Sequence, residues 1–111
     1  MAKVAQRASA FGTQLNPHFW GTGISLAATL HVAATFPRNP HNVASGPYLN
    51  ESVTEMDSTP HPIRENLTDP IFTQTDSYLD VPTTPGLGVE VDEDVIKKFL
   101  VGGEQGVQWH A

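Results

Sequence analysis

The sequence contains five histidines and no cysteine, so the first chemistries to consider are metal ligation and acid–base catalysis. Without cysteine, no thiolate can act as a nucleophile or a ligand, and no disulfide can form. The spacings between the histidines match no standard zinc signature. We therefore expect no histidine-based metal site, and we expect the mid-helix His31 to lie on a helix surface. The five are His18, His31, His41, His61 and His110.

Two residues are of a type that could perform acid–base chemistry, His18 and Glu55. A histidine acts as a general base near neutral pH when its neighbours tune it for that role. Taken alone, each residue also has a plain interpretation, since a histidine after a proline is unremarkable and an acid at the end of a strand points to solvent. Asp57 lies two positions after Glu55 and would share its strand face. Arg64 is expected to pair with an acid at the surface.

The charge balance argues against two classes of partner. The formal net charge is −6 and the sequence pI is about 5.1, whereas a nucleic-acid partner favours a basic patch. An acidic chain is also a poor ligand for an anionic membrane surface. The longest apolar stretch, 24–36, is too short to span a bilayer, and the first residues lack the apolar core of a signal peptide. We expect a soluble, cytoplasmic protein.

The elements that would position these residues begin with two helices. Apolar residues at helical spacing predict a helix over 2–11 that ends at Gly12. An Ala- and Leu-rich segment predicts a second helix over 24–36, with Thr22 as its N-cap and Pro37 as its stop. Between them, the sequence favours a short buried strand at 13–16 and a loop at 17–23.

The rest of the chain predicts shorter elements. A strand at 52–56 follows a surface loop, and an irregular segment after it holds one helical turn. Asp92 is expected to cap a helix that has acids in its first turn and lysines in its last, which suits the helix dipole. The ranges are a loop at 37–51, a turn of helix at 63–67, hairpin strands at 71–74 and 78–81 around Asp76-Ser77, a tight turn at 85–88, a helix at 93–100 ended by Gly102-Gly103, and a disordered tail at 102–111.

A helix between two short buried strands predicts a βαβ unit with a parallel sheet. Two parallel strands cannot cover both faces and both edges of their own sheet. The pattern is therefore typical of a piece of a larger α/β fold.

Three segments carry a resemblance to the enolase superfamily, of the mandelate racemase and muconate lactonizing enzyme type. Asn16-Pro17-His18-Phe19-Trp20-Gly21-Thr22-Gly23-Ile24 resembles the seventh strand of its barrel and the start of the helix that follows. Val53-Thr54-Glu55-Met56-Asp57 with Thr59-Pro60-His61-Pro62-Ile63-Arg64 resembles the eighth strand and its continuation. Pro85-Gly86-Leu87-Gly88-Val89-Glu90-Val91-Asp92 is similar to the segment that returns to the N-terminal capping domain.

The resemblance implies a fold and a domain organisation. It implies the C-terminal fragment of a (β/α)7β barrel, holding its last two strands, plus a hairpin and helix that return to the capping domain. Residues 1–70 would form the end of the barrel, 71–101 the closing segment and 102–111 a disordered tail.

The resemblance also implies a mechanism. The family's enzymes bind a carboxylate substrate on Mg²⁺, and a base removes the proton from the carbon beside the carboxylate. His18 matches the position of that base, and Glu55 matches the glutamate that hydrogen-bonds the substrate carboxylate and stabilises the enediolate. Trp20 and Asp57 are weaker substrate-binding candidates, and packing is the simpler role for Trp20.

The rest of the family's machinery falls outside this chain. Its three carboxylate metal ligands, a lysine and the aspartate that partners the histidine come from strands two to six, which lie upstream of Met1. We therefore expect no metal ligands in this chain, although the full-length relative would use Mg²⁺ and bind a small sugar-acid carboxylate. Homo-oligomerisation is a further possibility for the relative.

Three interpretations stay open. The first is a fragment of a sugar-acid dehydratase that is inactive alone, the second a racemase or epimerase of the same subgroup, and the third a truncated, non-catalytic gene product. In each case we expect marginal folding, with the apolar face of the 24–36 helix exposed.

Overall fold

The computed structural model describes residues 1–36 and 53–101, which form an α/β arrangement of short elements. The predicted loop at 37–51, the stop at Gly102-Gly103, the tail, His41 and His110 lie outside these ranges. The elements in chain order are α1 (Ala2–Ala10), β1 (His18–Phe19), α2 (Gly23–Ala33), β2 (Glu55–Met56), α3 (Pro62–Asn66), β3 (Thr68–Asp69), β4 (Glu90–Val91) and α4 (Glu93–Lys98).

The predicted βαβ unit is present. β1 and β2 pair in parallel, with His18 opposite Glu55 and Phe19 opposite Met56. The strand expected at 13–16 is wrong, because the extended segment that pairs is His18–Phe19, inside the range predicted as a loop. Pro17 contributes to this pairing through its carbonyl oxygen, which accepts from the Glu55 amide at 2.9 Å.

The helices form close to where the sequence predicts them. α1 ends in a Schellman motif, in which the Thr13 amide donates to the Ala8 carbonyl and the Gly12 amide to the Ser9 carbonyl. Gly12 adopts φ +67°, a conformation that glycine reaches without a Cβ penalty. α2 begins after Thr22 as expected, although it ends at Ala33, before the predicted stop.

The apolar face of α2 is buried, so its predicted exposure is wrong for the described residues. Leu26 and Leu30 pack with Phe19 of β1 in the main apolar cluster, and Met56, Phe72 and Leu79 pack against it. The segment after β2 therefore folds back over α2 and covers it. The buried residues of the helix are Gly23, Leu26, Ala27, Leu30 and Ala33.

A second, antiparallel pair joins β3 to β4, with Thr68 opposite Val91 and Asp69 opposite Glu90. Val89 and Val91 alternate with acids, a pattern that predicts the half-exposed strand β4, whereas the sequence does not predict its partner β3. The hairpin around Asp76-Ser77 is reduced to one bridge, between Thr75 and Tyr78. The turn at 85–88 is confirmed, and Gly86 and Gly88 both adopt positive φ.

His31 connects α2 to that turn. Its Nε2 lies 3.2 Å from the carbonyl oxygen of Leu87, so this nitrogen donates and carries the proton. From the surface of α2, this half-buried side chain holds the turn at 85–88 against the helix. No helix in the described part of the chain is long and apolar enough to cross a membrane.

Candidate functional site

The two residues predicted for acid–base chemistry meet at the ends of the parallel strands. His18 begins β1 and Glu55 begins β2, and the register places them opposite each other. The His18 Nδ1 atom lies 3.0 Å from Glu55 Oε2. The contact joins residues 37 positions apart in sequence, so it forms only when the crossover through α2 has brought the strands together.

The pair is open to solvent. The His18 and Glu55 side chains expose 72% and 71% of their surface, whereas Phe19, the next residue of β1, is buried in the core. Successive strand residues point to opposite sides of the sheet. Burial of Phe19 therefore turns His18 outward, where a small molecule can reach it.

The hydrogen bond determines which nitrogen of His18 can accept a proton. An ionised carboxylate only accepts hydrogen bonds, so Nδ1 must carry the proton when Glu55 is charged. In a neutral ring, the lone pair then lies on Nε2. The arrangement thus presents Nε2 as the basic atom, with a carboxylate behind the ring to stabilise the imidazolium that forms.

Asp57, two residues after Glu55, forms an ion pair with Arg64. Arg64 Nη1 donates to Asp57 Oδ2 at 2.8 Å, and Arg64 Nη2 donates to the carbonyl oxygen of Thr59. This hydrogen bond from Arg64, with those from Thr59, holds the pKa of the Asp57 carboxyl well below its usual range. The expected pairing of Arg64 is confirmed, but the arginine is largely buried rather than at the surface.

The two weaker candidates occupy different environments. Trp20 exposes 74% of its surface immediately after β1. Asp57 lies two residues after Glu55, and its carboxylate oxygens accept from Thr59 and Arg64. A role for either in binding substrate stays a prediction.

The third described histidine has a structural task. His61 is the N-cap of α3, and its Nδ1 accepts from the Arg64 amide at 3.2 Å while its own amide donates to Glu65 Oε1 at 2.9 Å. This reciprocal pattern resembles a capping box.

The bonds between Asp57, Thr59 and Arg64 were not predicted from the sequence. A local signal was present, because Asp57-Ser58-Thr59 has the spacing of an Asx turn, in which the side chain accepts from the amide two residues on. The Thr59 amide does donate to Asp57 Oδ1 at 2.9 Å. The reach of Arg64 back to Asp57 depends on tertiary structure and has no such signal.

Within residues 1–36 and 53–101, no three His, Cys, Asp or Glu side chains come together as a metal-binding group. Mg²⁺ favours octahedral oxygen ligation, usually through one or two carboxylates and several waters. His18 and Glu55 offer one carboxylate, and it is bonded to the imidazole. The described residues therefore do not themselves form the Mg²⁺ site that the resemblance implies.

Comparison with known proteins gives consistent results. The profile of the family described as enolase C-terminal domain-like matches residues 1–95. The chain is 32% identical over 97 residues to D-galactarolactone cycloisomerase of Agrobacterium fabrum, covering 87% of this chain and 25% of that protein. It is 32% identical over 103 residues to arabinonate dehydratase of Saccharolobus solfataricus, covering 89% of this chain and 23% of that protein.

One solved structure is similar in fold as well as in sequence. The crystal structure of the 3,6-anhydro-D-galactonate cycloisomerase from Zobellia galactanivorans superposes with a TM-score of 0.68 at 32% identity. The match covers 89% of this chain and 24% of that one. The chain thus spans about a quarter of the length of these relatives.

Proposed function

This chain belongs to the enolase C-terminal domain-like family of the enolase superfamily, and from that membership we propose that it is the barrel-closing portion of a sugar-acid enzyme. Within the proposal, β1 and β2 are the last two strands of a (β/α)7β barrel. Residues 1–70 end that barrel, and 71–101 are the segment that returns to a capping domain.

One observation carries the proposal, namely the contact between His18 Nδ1 and Glu55 Oε2 at the ends of adjacent parallel strands. Barrel enzymes keep their chemistry at the carboxyl ends of their strands, and the two-residue strands β1 and β2 end one position after His18 and Glu55. In the proposed reaction, His18 Nε2 removes the proton from the carbon beside the substrate carboxylate. The ring becomes an imidazolium, which the Glu55 carboxylate stabilises through Nδ1 in the described residues, in the place that the resemblance gives to an aspartate from strand six.

Glu55 can hydrogen-bond the substrate carboxylate only if the proton between Glu55 and His18 lies on Glu55. To donate a hydrogen bond to a substrate carboxylate or an enediolate, Glu55 must itself carry a proton. While His18 acts as the base, that proton lies on Nδ1. The geometry therefore supports the base role of His18 more directly than it supports enediolate stabilisation by Glu55.

The negative charge that develops on the substrate requires a cation, which Mg²⁺ would supply if present. The resemblance assigns its ligands to strands three to five of the barrel, outside the matched sequence. Independent catalysis by this chain is therefore not part of the proposal.

Dehydration of a sugar acid is the first candidate reaction. It removes the α-proton and then a β-hydroxyl, and the relatedness to an arabinonate dehydratase supports it. Cycloisomerisation is the second candidate, because two relatives are cycloisomerases and such a reaction can begin with the same proton abstraction. Racemisation or epimerisation stays open, because the residue opposite the histidine would come from another strand.

The test is a chimeric barrel in which residues 1–101 replace the matching C-terminal portion of the Saccharolobus arabinonate dehydratase. We expect this chimera to exchange the α-proton of arabinonate in deuterated buffer with Mg²⁺, and His18→Asn to abolish exchange. His61→Asn is the matched control, because asparagine is also a good N-cap. Exchange that survives His18→Asn would contradict the base assignment.

The 111-residue chain alone should show no exchange under the same conditions. Without the metal and the opposing groups, rates fall by orders of magnitude. Detectable exchange by the chain alone, abolished by His18→Ala, would refute this expectation.

The DNA sequence upstream of the Met1 codon would distinguish part of a complete enzyme from a non-catalytic gene product. An in-frame sequence of roughly 200 residues with acidic residues on successive predicted strands would support the enzyme, since a complete barrel takes about 250 residues. A stop codon or an unrelated gene at that place would favour the non-catalytic alternative.

A further inference from the structure

The start of α2 leaves backbone donors without acceptors. Leu26 is the first residue of the helix whose amide has a backbone partner, the Thr22 carbonyl oxygen at 3.0 Å. The amides of Gly23, Ile24 and Ser25 have no acceptor among the described residues. Thr22 is the N-cap, but its side chain makes no capping bond, and the first turn holds no acidic residue. Such a helix start favours an anion, because free amides and the helix dipole both attract negative charge.

A buried hydroxyl group is directed at this helix start. Thr68 of β3 exposes 4% of its surface, and its Oγ1 atom lies where a Cβ of Gly23 would be. Within residues 1–36 and 53–101, this hydroxyl makes no hydrogen bond. Gly23 is buried as well, so the amide and the hydroxyl of two buried residues in contact both lack a partner. Buried polar groups are almost always hydrogen-bonded, and an anion at this place would accept from both.

The carboxylates closest in sequence to Thr68 face away from the helix start. Thr68 is buried and Asp69 is exposed, because successive residues of a strand point to opposite faces. Asp69 lies opposite Glu90 in the antiparallel pair, so both carboxylates share the exposed face. They therefore lie on the other side of this sheet from Gly23.

The helix start borders the candidate acid–base site. β1 ends at Phe19, one residue after His18, and α2 begins at Gly23, so only residues 20–22 lie between them. The four residue steps from Phe19 to Gly23 span at most about 14 Å. The free amides of α2 therefore lie near the end of β1, where the His18–Glu55 pair is exposed.

We propose that the start of α2, together with the Thr68 hydroxyl, binds the second carboxylate of a sugar diacid. In the proposed reaction, the first carboxylate is beside the carbon that loses its proton. The second lies at the other end of the molecule, where the three free amides of α2 and the Thr68 hydroxyl donate to its oxygens. The substrate is then an aldaric acid, and not an aldonic acid with a single carboxylate. This inference rests on the function proposed above.

The test measures anion binding by the ¹H and ¹⁵N chemical shifts of the α2 amides. The full 111-residue chain is labelled with ¹⁵N and titrated at about pH 7, where carboxylates are ionised. Trimethylamine N-oxide is added because this osmolyte favours compact states. Galactarate is the diacid probe, and galactitol, the uncharged polyol with the same carbon skeleton, is its control at equal ionic strength.

Two substitutions remove hydroxyl groups in different places. Thr68→Val keeps the shape of the side chain and removes the proposed donor. Thr29→Val is the matched control, because it removes a hydroxyl from the middle of α2, where that group donates to the Ser25 carbonyl oxygen at 2.8 Å.

We expect galactarate to shift the amides of Gly23, Ile24 and Ser25 saturably, and galactitol to leave them in place. Thr68→Val should raise the Kd for galactarate about tenfold, because a hydrogen bond to a charged group is lost, whereas Thr29→Val should not change it. If these amides do not respond to galactarate, or respond equally to galactitol, the anion site is overturned. An unchanged Kd in a folded Thr68→Val protein overturns it as well. Should Thr68→Val fail to fold, the comparison of Thr68→Ala with Thr68→Ser decides by the same criterion.

The chimera described above separates this inference from the proposed function. If galactarate binds as expected but the chimera does not exchange the α-proton of arabinonate, the anion site stands and the proposed function falls. If the chimera exchanges that proton but the α2 amides do not respond to galactarate, only the binding of a second carboxylate is overturned.

Discussion

At the scale of single residues, the candidate site separates exposed reactive groups from a largely buried ion pair. The His18 and Glu55 side chains reach solvent from a strand whose next residue, Phe19, is buried. The Asp57 and Arg64 charges lie mostly out of solvent, where their interaction is screened less. An exposed ion pair contributes little to stability. The His18–Glu55 contact is thus better suited to orienting a ring than to holding the fold.

Asp57 should give the stability of the chain a pH dependence of defined sign. Its folded-state pKa lies below the unfolded-state value of about 3.9. The stabilisation is therefore fully present above the unfolded pKa and is lost as the pH falls from there toward the folded pKa. We expect stability, followed by circular dichroism in urea, to decline below about pH 4, and Asp57→Asn to flatten that decline.

The control for this titration is Asp94→Asn. The Lys97 ammonium also lowers the pKa of Asp94, but this pair is exposed and its contribution is screened. The Asp94 variant should therefore change the acid slope less than the Asp57 variant does. Equal slopes in the two variants would contradict a special role in stability for the bonds of Asp57 to Thr59 and Arg64.

At the scale of elements, the start of α2 is packed against β3 too closely for any side chain. A Cβ at Gly23 would overlap the Thr68 hydroxyl and lie 3.0 Å from the Thr68 Cβ and Cγ2 atoms. Thr68 is buried, so it has little space to move. We expect Gly23→Ala to destabilise the contact by about 1–3 kcal/mol, as overpacked sites do.

A double-mutant cycle tests this overlap. Amide hydrogen exchange in α2 should accelerate in Gly23→Ala, and part of the protection should return in Gly23→Ala with Thr68→Ala. Additive effects of the two substitutions would show that the contact is absent.

The N-terminus of α4 depends on its cap. The Asp92 side chain accepts from the amides of Asp94 at 2.9 Å and Val95 at 3.3 Å. A helix of six residues has little stability of its own, and removal of an N-cap destabilises a helix by about 1 kcal/mol. Asp92→Ala should therefore raise amide exchange in α4 about fivefold.

Asp94→Ala is the comparison for this cap, since it removes an acid from the same helical turn without removing the cap. It should raise exchange in α4 much less than Asp92→Ala does. A similar increase in both variants would indicate that charge near the helix dipole, and not capping, protects the helix.

The elements with strong local signals were predictable, and those that depend on distant partners were not. Thr22, Asp92 and Gly12 carry local chemistry for helix ends, and all three lie at such positions. β3 was missed because two residues, Thr68 and Asp69, are too few to show a period. Its pairing with β4 arises from the tertiary fold.

The candidate site was likewise predictable only where local sequence patterns determine it. The positions of His18 and Glu55 on adjacent parallel strands follow from the βαβ pattern and the family resemblance. Their direct hydrogen bond does not, because it depends on the rotation of both side chains. The error at 13–16 has a simple cause, namely that Pro17 lacks an amide proton and yet supplies the carbonyl that begins the pairing.

At the scale of the whole molecule, the apolar core of the described residues is small. Its buried apolar residues are Ala5, Phe19, Leu26, Ala27, Leu30, Ala33 and Leu67. Large apolar side chains elsewhere remain exposed, with Phe11 at 87% and Ile71 at 60%. A chain of this size has a thin margin of stability even with a full core.

We therefore expect the isolated chain to melt over a broad temperature range and to associate as its concentration rises, because exposed apolar patches favour association. Circular dichroism melts at several concentrations, combined with light scattering, would measure both effects. A sharp, concentration-independent transition of a monomer would contradict this prediction.

The exposed indole of Trp20 makes the candidate site observable by tryptophan fluorescence. It follows β1 directly, two positions from His18, and most of its surface is in contact with water. Indole emission shifts to shorter wavelength when its surroundings become less polar. Trp109→Phe would remove the other tryptophan of the sequence. The wavelength of maximum emission would then report whether a sugar acid or another polypeptide binds at this end of the sheet.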